Sequence, residues 1–156
     1  DTFSYTVSDG NNGTDMATVN LEVDSAPNIN NPIRGGDQDD NLIGTANNDI
    51  ITGLLGTDNL TGNGGSDTFV YESFRDGIDR ISDFGTDDVL DLRPLFENGS
   101  YASATPFEDY IQLGQVGADT EVRVNPVGDI FPGIYGNLVT LENVTANDLT
   151  PSNFLV

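Results

Sequence analysis

Residues 35–70 read GGDQDDNLI, GTANNDIIT, GLLGTDNLT and GNGGSDTFV, which are four units of nine residues with one shared pattern. Each unit begins with glycine, has aspartate at its sixth position and has a large apolar residue at its eighth. The aspartates are Asp40, Asp49, Asp58 and Asp67, and the same spacing reaches Asp76 in a degenerate fifth unit. The apolar residues are Leu42, Ile51, Leu60 and Phe69, and the spacing reaches Ile78. A constant phase over five units predicts a repeating structure rather than unrelated turns.

The nine-residue period predicts a turn of six residues and a strand of three in every unit. Only the middle side chain of such a strand points inward, because successive side chains alternate between the two faces. Ile33 continues the apolar row upstream, although Asn31 stands where an aspartate is expected. We therefore predict an all-β fold, namely a parallel β-roll of calcium-binding nonapeptide repeats that is capped by a C-terminal, β-rich antiparallel region.

The turns of this roll predict calcium sites. Turns eighteen residues apart stack, and two of them can share one Ca²⁺, which requires six to eight oxygen ligands. We expect one site at Asp40 and Asp58, a second at Asp49 and Asp67, and a third at Asp58 and Asp76. Glycine permits positive φ and close approach of the backbone to an ion. The loop residues expected to complete these sites are Gly36, Gln38, Thr45, Asn47, Gly53, Leu55, Gly62 and Gly64. The alternative is a run of β-turns that holds no ion.

The composition excludes several classes of function. The chain has 156 residues, of which 26 are acidic and 5 are basic, and its net charge of −21 disfavours nucleic acid as a partner. It contains no histidine and no cysteine, which removes disulfides, zinc fingers, Cys proteases and Ser-His catalysis. No apolar run is long enough to span a membrane. We expect a monomer that is not an enzyme, with Ca²⁺ to relieve its self-repulsion.

The first segment, residues 1–24, predicts two strands around a turn. Phe3, Tyr5 and Val7 alternate with polar residues, and a second alternating stretch follows the turn at residues 9–13. The motif D-x-F-x-Y-x-V-x-D-G resembles the end of the Ig-like or cadherin-like repeats of giant bacterial surface adhesins. Residues 25–31 are expected to be a linker, and the chain is interpreted as a fragment of a longer protein.

Downstream of the repeats, residues 79–84 read DRISDF and residues 87–92 read DDVLDL. Asp83 and Asp88 are placed to ligate a last ion, and the alternative for both is a solvated turn. The apolar residues expected to cap the roll are Ile81, Phe84, Val89, Leu90 and Leu92. We assign the roll and its cap to residues 32–93 and a separate C-terminal region to residues 94–156. Strands are predicted there at 110–116, 120–125 and 138–141.

These motifs and their order resemble the C-terminal part of RTX proteins, which bacterial type I secretion exports. The strands of residues 94–156 resemble the secretion-target domain of RTX adhesins. The resemblance implies a calcium-dependent folding and secretion module of a large adhesin, secreted or held at the bacterial cell surface. It also implies that an ABC transporter engages the tail, of which Phe154–Val156 is expected at an exposed chain end. A last packed strand is the alternative for the tail.

Two other functions compete with the adhesin. The chain could be the RTX tail of a secreted protease or lipase, whose catalytic domain would lie upstream because no H-E-x-x-H motif is present. The outward faces of the roll could also bind a ligand such as ice. Their ladder of Asn, Thr and Ile is mixed and only two rungs long, which disfavours this function.

Overall fold

In a computed structural model of the protein, the described residues are 31–97, 101, 103–125 and 134–156, with the backbone of two earlier strands. These strands are β1 at Thr2–Ser8 and β2 at Thr14–Asn20. They pair antiparallel, with Thr2 opposite Asn20. The hairpin predicted at the start of the chain is confirmed. The predicted linker, apart from Asn31, lies outside the described residues.

The repeats form the two parallel sheets of a β-roll. Strands alternate between the sheets along the chain, because each turn carries the backbone across to the opposite face. One sheet contains β3 (Asn31–Arg34), β5 (Asp49–Thr52), β7 (Thr68–Val70) and β9 (Val89–Asp91). The other contains β4 (Asn41–Ile43), β6 (Asn59–Thr61) and β8 (Asp79–Ile81). The predicted fold class is confirmed.

Two apolar ladders fill the space between the sheets. In one sheet the ladder runs from Ile33 through Ile51, Phe69 and Leu90, each aligned with the next in the parallel register. In the other it runs through Leu42, Leu60 and Ile81. The members from Ile51 onward are buried, whereas Ile33 and Leu42 at the first coil are only partly buried. The core therefore consists of one large side chain per strand, as the period predicts.

The nine-residue spacing ends after Phe69. Ile78 was expected in the core, but it is 50% exposed, and Ile81 occupies the inward position in its place. The chain makes a longer turn between β7 and β8, so the step from Leu60 to Ile81 is 21 residues instead of 18. The prediction for Ile78 was wrong because it assumed a constant nine-residue spacing, whereas three extra residues in this turn move the inward position to Ile81.

The C-terminal region extends both sheets of the roll. Two short helices follow β9, α1 at Arg93–Glu97 and α2 at Pro106–Tyr110. The next strands are β10 (Ile111–Val116), β11 (Asp119–Val124) and β12 (Gly136–Leu141), which pair antiparallel in that order. Strand β12 then pairs parallel with β8 and brings Leu141 opposite Ile81. All three strands predicted in this region are confirmed.

The C-terminal tail is a packed strand. Two 3₁₀ turns, Ala146–Asp148 and Pro151–Asn153, lead into β13 (Phe154–Leu155), which pairs parallel with β9. Phe154 is buried and packs against Phe107, with 5.0 Å between the ring centroids. The expectation of an exposed end was therefore wrong for Phe154, which adds a rung to the apolar ladder, and it holds only for Val156.

Candidate metal centre

The aspartates of the turns form two columns, one along each side of the roll. Within a column, the backbone N–H of each aspartate donates to the Oδ1 of the next one. These bonds are Asp40 to Asp58 at 2.8 Å, Asp58 to Asp79 at 2.9 Å, Asp49 to Asp67 at 2.9 Å, and Asp67 to Asp88 at 2.8 Å. The structure thus brings together two of the three predicted pairs, Asp40 with Asp58 and Asp49 with Asp67, and continues each column by one aspartate.

In three of the six column aspartates the second carboxylate oxygen accepts a hydrogen bond from the turn that precedes it. Oδ2 of Asp40 accepts from Gly36 N–H at 2.7 Å, and Oδ2 of Asp49 accepts from Thr45 N–H at 2.5 Å. Oδ2 of Asp88 accepts from Gly85 N–H at 2.8 Å. An aspartate at the sixth position therefore closes the turn that precedes it, because a carboxylate accepts several backbone hydrogen bonds at once.

Glycine is required where consecutive turns of a column meet. Gly56 has φ of +132°, and a Cβ there would lie 2.6 Å from the carbonyl oxygen of Gln38. Gly65 repeats this arrangement, with φ of +116° and Asn47 O at 2.7 Å. The carbonyls of Gln38 and Asn47, expected among the calcium ligands, therefore point toward the turn below them. A side chain larger than hydrogen would force the two turns apart.

The backbone carbonyls at the second position of the turns accept hydrogen bonds from the next turn of the same column. Gly36 O accepts from Leu55 N–H, and Thr45 O accepts from Gly64 N–H, each at 3.1 Å. A carbonyl oxygen has two lone pairs, so these bonds leave one for a cation. They hold the expected loop residues of adjacent turns at a constant spacing.

Sequence reasoning missed the residue that precedes each aspartate. Asp39 Oδ1 accepts from Thr57 N–H at 2.8 Å, and Asn48 Oδ1 accepts from Ser66 N–H at 2.7 Å. Both bonds join residues eighteen positions apart. The only available signal was the polar type of the fifth position, which turns favour for many other reasons.

Asp76 and Asp83 have roles other than stacking in a column. Asp76 Oδ2 accepts from the backbone N–H of Glu72 and of Ser73 at 2.7 and 2.9 Å, inside the longer turn. Asp83 is exposed, and its two oxygens accept from Gly62 N–H at 2.9 Å and Asn63 N–H at 2.7 Å. The residue stacked beneath Asp58 is Asp79 rather than Asp76.

Asp79 was visible in the sequence by a different criterion. Asp79 and Ile81 repeat the Asp-x-apolar spacing of every unit, as do Asp88 and Leu90. The spacing within a unit survives the three-residue insertion, whereas the spacing between units does not.

Burial and mutual repulsion raise the pKa values of three column carboxyls, Asp58, Asp67 and Asp79. Burial is the main cause for Asp67, with repulsion from Asp88 and Asp49 added, and its pKa rises to about 6. Burial, followed by repulsion from Asp58, raises the pKa of Asp79 to about 7. The pKa of Asp58 also rises, mainly through burial. Each column therefore disfavours its own negative charge unless a cation is present.

No basic side chain neutralises these columns within the described part of the chain. Its ion pairs join Arg34 to Glu72, Arg80 to Glu142 and Asp119, Arg93 to Asp91, and Arg123 to Glu121. Oδ2 of Asp58 and Oδ2 of Asp79 are buried and lack a hydrogen-bond partner. Buried anionic oxygens without partners fit a hard cation that oxygen ligands bind.

The ligand supply is divided between side chains and backbone. Among the described residues, no three acidic side chains converge on one point. A cation between two turns would therefore meet two carboxylates, and backbone carbonyls would supply the other oxygens. Calcium tolerates such a mixed and flexible set, whereas Mg²⁺ requires a smaller octahedral site.

The fold is that of an RTX-like parallel β-roll, and similar solved structures include two subunits of a bacterial epimerase. The chain is 27% identical to the R3 subunit of the mannuronan C5-epimerase AlgE6 of Azotobacter vinelandii, with a TM-score of 0.58. That match covers 80% of this chain and 71% of the other. The R2 subunit of the same enzyme is 25% identical, with a TM-score of 0.53, and the match covers 80% of this chain and 91% of the other.

A third similar structure is the extracellular lipase LipA of Serratia marcescens. It is 19% identical with a TM-score of 0.49, and the match covers 99% of this chain but only 26% of the lipase. No protein-family model and no curated protein matches the chain. None of the described helices is long and apolar enough to cross a bilayer.

Proposed function

We propose that the chain is a calcium-folded, non-catalytic module of a secreted bacterial protein. The observation that carries this proposal is the pair of aspartate columns, buried or partly buried, without a basic partner among the described residues. The R2 and R3 subunits, which belong to a bacterial epimerase, support a module of this fold as a part of a larger bacterial protein. Calcium would supply the positive charge that allows each column to stay compact.

The chain's own residues would couple calcium binding to folding. The stacked carboxylates lie at neighbouring turns only when the sheets have formed, so the unfolded chain has no preformed site. The column hydrogen bonds fix the orientation of each carboxylate, and the glycines allow turns to approach. Calcium at the millimolar level found outside cells suits sites with dissociation constants of about 10⁻⁴–10⁻³ M. In the cytosol the columns would repel, and the chain would remain unfolded.

Circular dichroism tests this function. The chain should show little β-structure in EGTA and should gain it cooperatively as Ca²⁺ approaches the millimolar range. Magnesium is the matched control, and it should substitute poorly because it holds its waters and requires octahedral geometry. A chain that is fully folded in EGTA at low salt and neutral pH would refute the proposal.

We further propose that the parent protein is a large adhesin exported by type I secretion, with an ABC transporter engaging the tail. The antiparallel hairpin β1–β2 supports the adhesin, since the sequence resemblance to an Ig-like ending implies two paired strands in this segment. Tandem Ig-like repeats in the preceding part of the parent protein would support this assignment. A catalytic motif there would overturn it.

Deletion of residues 152–156 tests the role of the tail. Export from cells that carry the matching transporter should stop, whereas the purified fragment should still bind calcium at Asp40 to Asp67. Val156→Ala is a milder variant, because this side chain is partly exposed and its loss should leave β13 packed. Normal export of the deletion variant would remove the signal role from these residues, and loss of calcium binding would show that they are structural.

The second candidate function is the calcium-folded tail of a secreted enzyme. The specific observation in its favour is that the R2 and R3 subunits belong to an epimerase. The proposed behaviour of the module toward calcium is the same in both cases. Only the activity of the parent protein separates them.

A further inference from the structure

An asparagine followed by glycine lies in a turn of the roll. The sequence contains three such pairs, at Asn12, Asn63 and Asn98, and of these only Asn63 belongs to the described residues. An asparagine side chain before glycine can react with the backbone, because glycine has no Cβ to hinder the approach of its own nitrogen. Asn63 is exposed to solvent, so burial does not protect it. Whether it reacts therefore depends on the geometry of the turn.

The reaction is deamidation through a cyclic imide. The backbone nitrogen of Gly64 loses its proton and forms a bond to Cγ of Asn63, and the side-chain nitrogen leaves as ammonia. Water then opens the ring at either of its carbonyls. One product is aspartate, and the other is isoaspartate, in which the backbone runs through the former side chain. The net change consumes water and releases ammonia, and it needs no oxidant and no enzyme.

In the folded turn, both reacting nitrogens donate hydrogen bonds to the preceding turn of the column. Gly64 N–H donates to Thr45 O at 3.1 Å. Asn63 Nδ2, which is the leaving group, donates to Gly44 O at 2.8 Å. Attack requires the Gly64 nitrogen to lose its proton, which breaks the first bond, and ring closure turns the amide away from Gly44, which breaks the second. Both bonds therefore oppose the reaction as long as the turns stay stacked.

The backbone on the other side of Asn63 is fixed as well. Asn63 has φ of +68°, in the left-handed region that asparagine tolerates. Its N–H donates to Asp83 Oδ2 at 2.7 Å, and Gly62 N–H donates to Asp83 Oδ1 at 2.9 Å. The side chain of Asn63 and the nitrogen of Gly64 thus cannot rotate toward each other unless the turn opens.

We propose that Asn63 is a deamidation site of the unfolded chain and that folding of the turn protects it. The inference rests on the proposed function only for its link to calcium, which would protect Asn63 by folding the roll. Without calcium the turn is absent, and Asn63 and Gly64 react as they would in a free peptide. The reaction should be at least about tenfold slower in the folded chain, because a packed turn opens in only a small fraction of molecules at any time.

The products do not fit the folded turn. Aspartate replaces the donor that faces Gly44 O by an anion, and it adds a negative charge beside Asp83. Isoaspartate lengthens the backbone between residues 63 and 64 by one carbon, so Gly64 N–H no longer aligns with Thr45 O. A chain that stays unfolded for long should therefore lose, permanently, its ability to form this turn.

Peptide mapping measures the reaction. Trypsin cuts after Arg34 and Arg75, and the fragment 35–75 contains Asn63 and neither of the other Asn-Gly pairs. The chain is incubated in mildly alkaline buffer with calcium, with EGTA, or with EGTA and urea, and tandem mass spectrometry follows the conversion of the Asn63 amide to a carboxyl. Conversion in calcium should be at least about tenfold slower than in either EGTA sample. Circular dichroism of the same samples reports whether the chain is folded.

Gly64→Ala is the matched variant. Gly64 has no positive φ, and an added Cβ would lie 3.7 Å from Ala46 Cα, which is an ordinary contact. The variant should therefore fold with calcium, whereas its Cβ should slow ring closure in EGTA and urea. Equal conversion of Asn63 in the unaltered chain and in this variant under those conditions would exclude the Gly64 nitrogen as the attacking atom and overturn the site.

Returning the incubated chain to calcium tests the effect on folding. Size-exclusion chromatography separates compact from unfolded molecules, and the compact fraction should be depleted of the modified fragment 35–75. An equal content of modified fragment in both fractions would show that the products fit the turn, which contradicts the inference.

The outcomes separate this inference from the proposed function. If the chain folds in calcium and Asn63 still converts as fast as in urea, the inference fails and the calcium-folded module stands. If the chain is already folded in EGTA, the proposed function fails, and the rate there tests the inference by itself, since slow conversion supports it and fast conversion overturns it. If calcium neither folds the chain nor slows the conversion, both fail.

Discussion

Substitution of Asp67 tests the column geometry most directly, because Asp67 belongs to two stacked pairs. Its Oδ1 accepts from Asp49 N–H, and its own N–H donates to Asp88 Oδ1. Asp49 belongs to only one pair, since the residue aligned above it is the uncharged Asn31. Asp67→Asn should therefore weaken two calcium sites and Asp49→Asn only one. Asparagine keeps an oxygen acceptor of the same shape, so the column hydrogen bond can persist.

The expected magnitude follows from binding linkage. At about 10 mM calcium, a site with a dissociation constant of about 10⁻⁴–10⁻³ M contributes about 1.4–2.7 kcal/mol to the free energy of unfolding. In calcium, Asp67→Asn should thus lower the free energy of unfolding by about 3–5 kcal/mol, which is about twice the loss expected for Asp49→Asn. In EGTA the sign should reverse, because the substitution removes a buried charge whose pKa is raised to about 6.

Denaturant unfolding in calcium provides the free energies, and isothermal titration counts the ions. In EGTA, where the unaltered chain should be largely unfolded, a gain of β-structure by circular dichroism in Asp67→Asn reports the reversed sign. Asp148→Asn makes the same chemical change at an exposed residue of a 3₁₀ turn and should change neither quantity. Equal losses of calcium and of stability in Asp67→Asn and Asp49→Asn would refute the reasoning, because they would show that an aspartate in the middle of a column serves no more than one site.

Three further predictions concern packing and pH. Gly56→Ala should lower the free energy of unfolding by about 1–3 kcal/mol, because φ is +132° and the added Cβ would lie close to Gln38 O. Gly136→Ala is the control and should lower it by less than about 0.5 kcal/mol, because a Cβ there meets no atom within 4 Å. Equal losses of stability in the two variants would contradict the close stacking of the turns at Gly56. In denaturant unfolding, Ile81→Ala should lower the free energy of unfolding by about 2–5 kcal/mol, because Ile81 is buried, and Ile78→Ala should lower it by less than about 0.5 kcal/mol, because Ile78 is exposed. The reverse order would show that Ile78 occupies the core position, as the nine-residue spacing predicts. In EGTA, circular dichroism should show more β-structure as the pH falls from about 8 to about 5, because the pKa of Asp79 is raised to about 7. Stability from this carboxyl is fully present below its ordinary pKa of 3.8 and is lost as the pH rises through about 7, so a signal that does not change with pH would contradict its burial.

The local chemistry of the roll was predictable because every unit repeats it. The inward position of Leu60 and the turn position of Asp58 follow from a period of nine and from the alternation of side chains in a strand. Asp40, Asp49, Asp58 and Asp67 were placed in their correct pairs for the same reason. Asp76 and Ile78 were misplaced, since periodicity carries no information once the turn length changes.

The sequence alone determined the two-sheet roll, its apolar ladders and the pairing of its first four aspartates, because these depend on contacts that recur at a constant separation along the chain. Only the tertiary structure decided which residues complete the roll. Leu141 joins the ladder beneath Ile81, and Phe154 joins it beside Leu90, across more than 55 residues of intervening chain in each case. A long-range contact of this kind depends on the path of the whole chain, and no local pattern encodes that path.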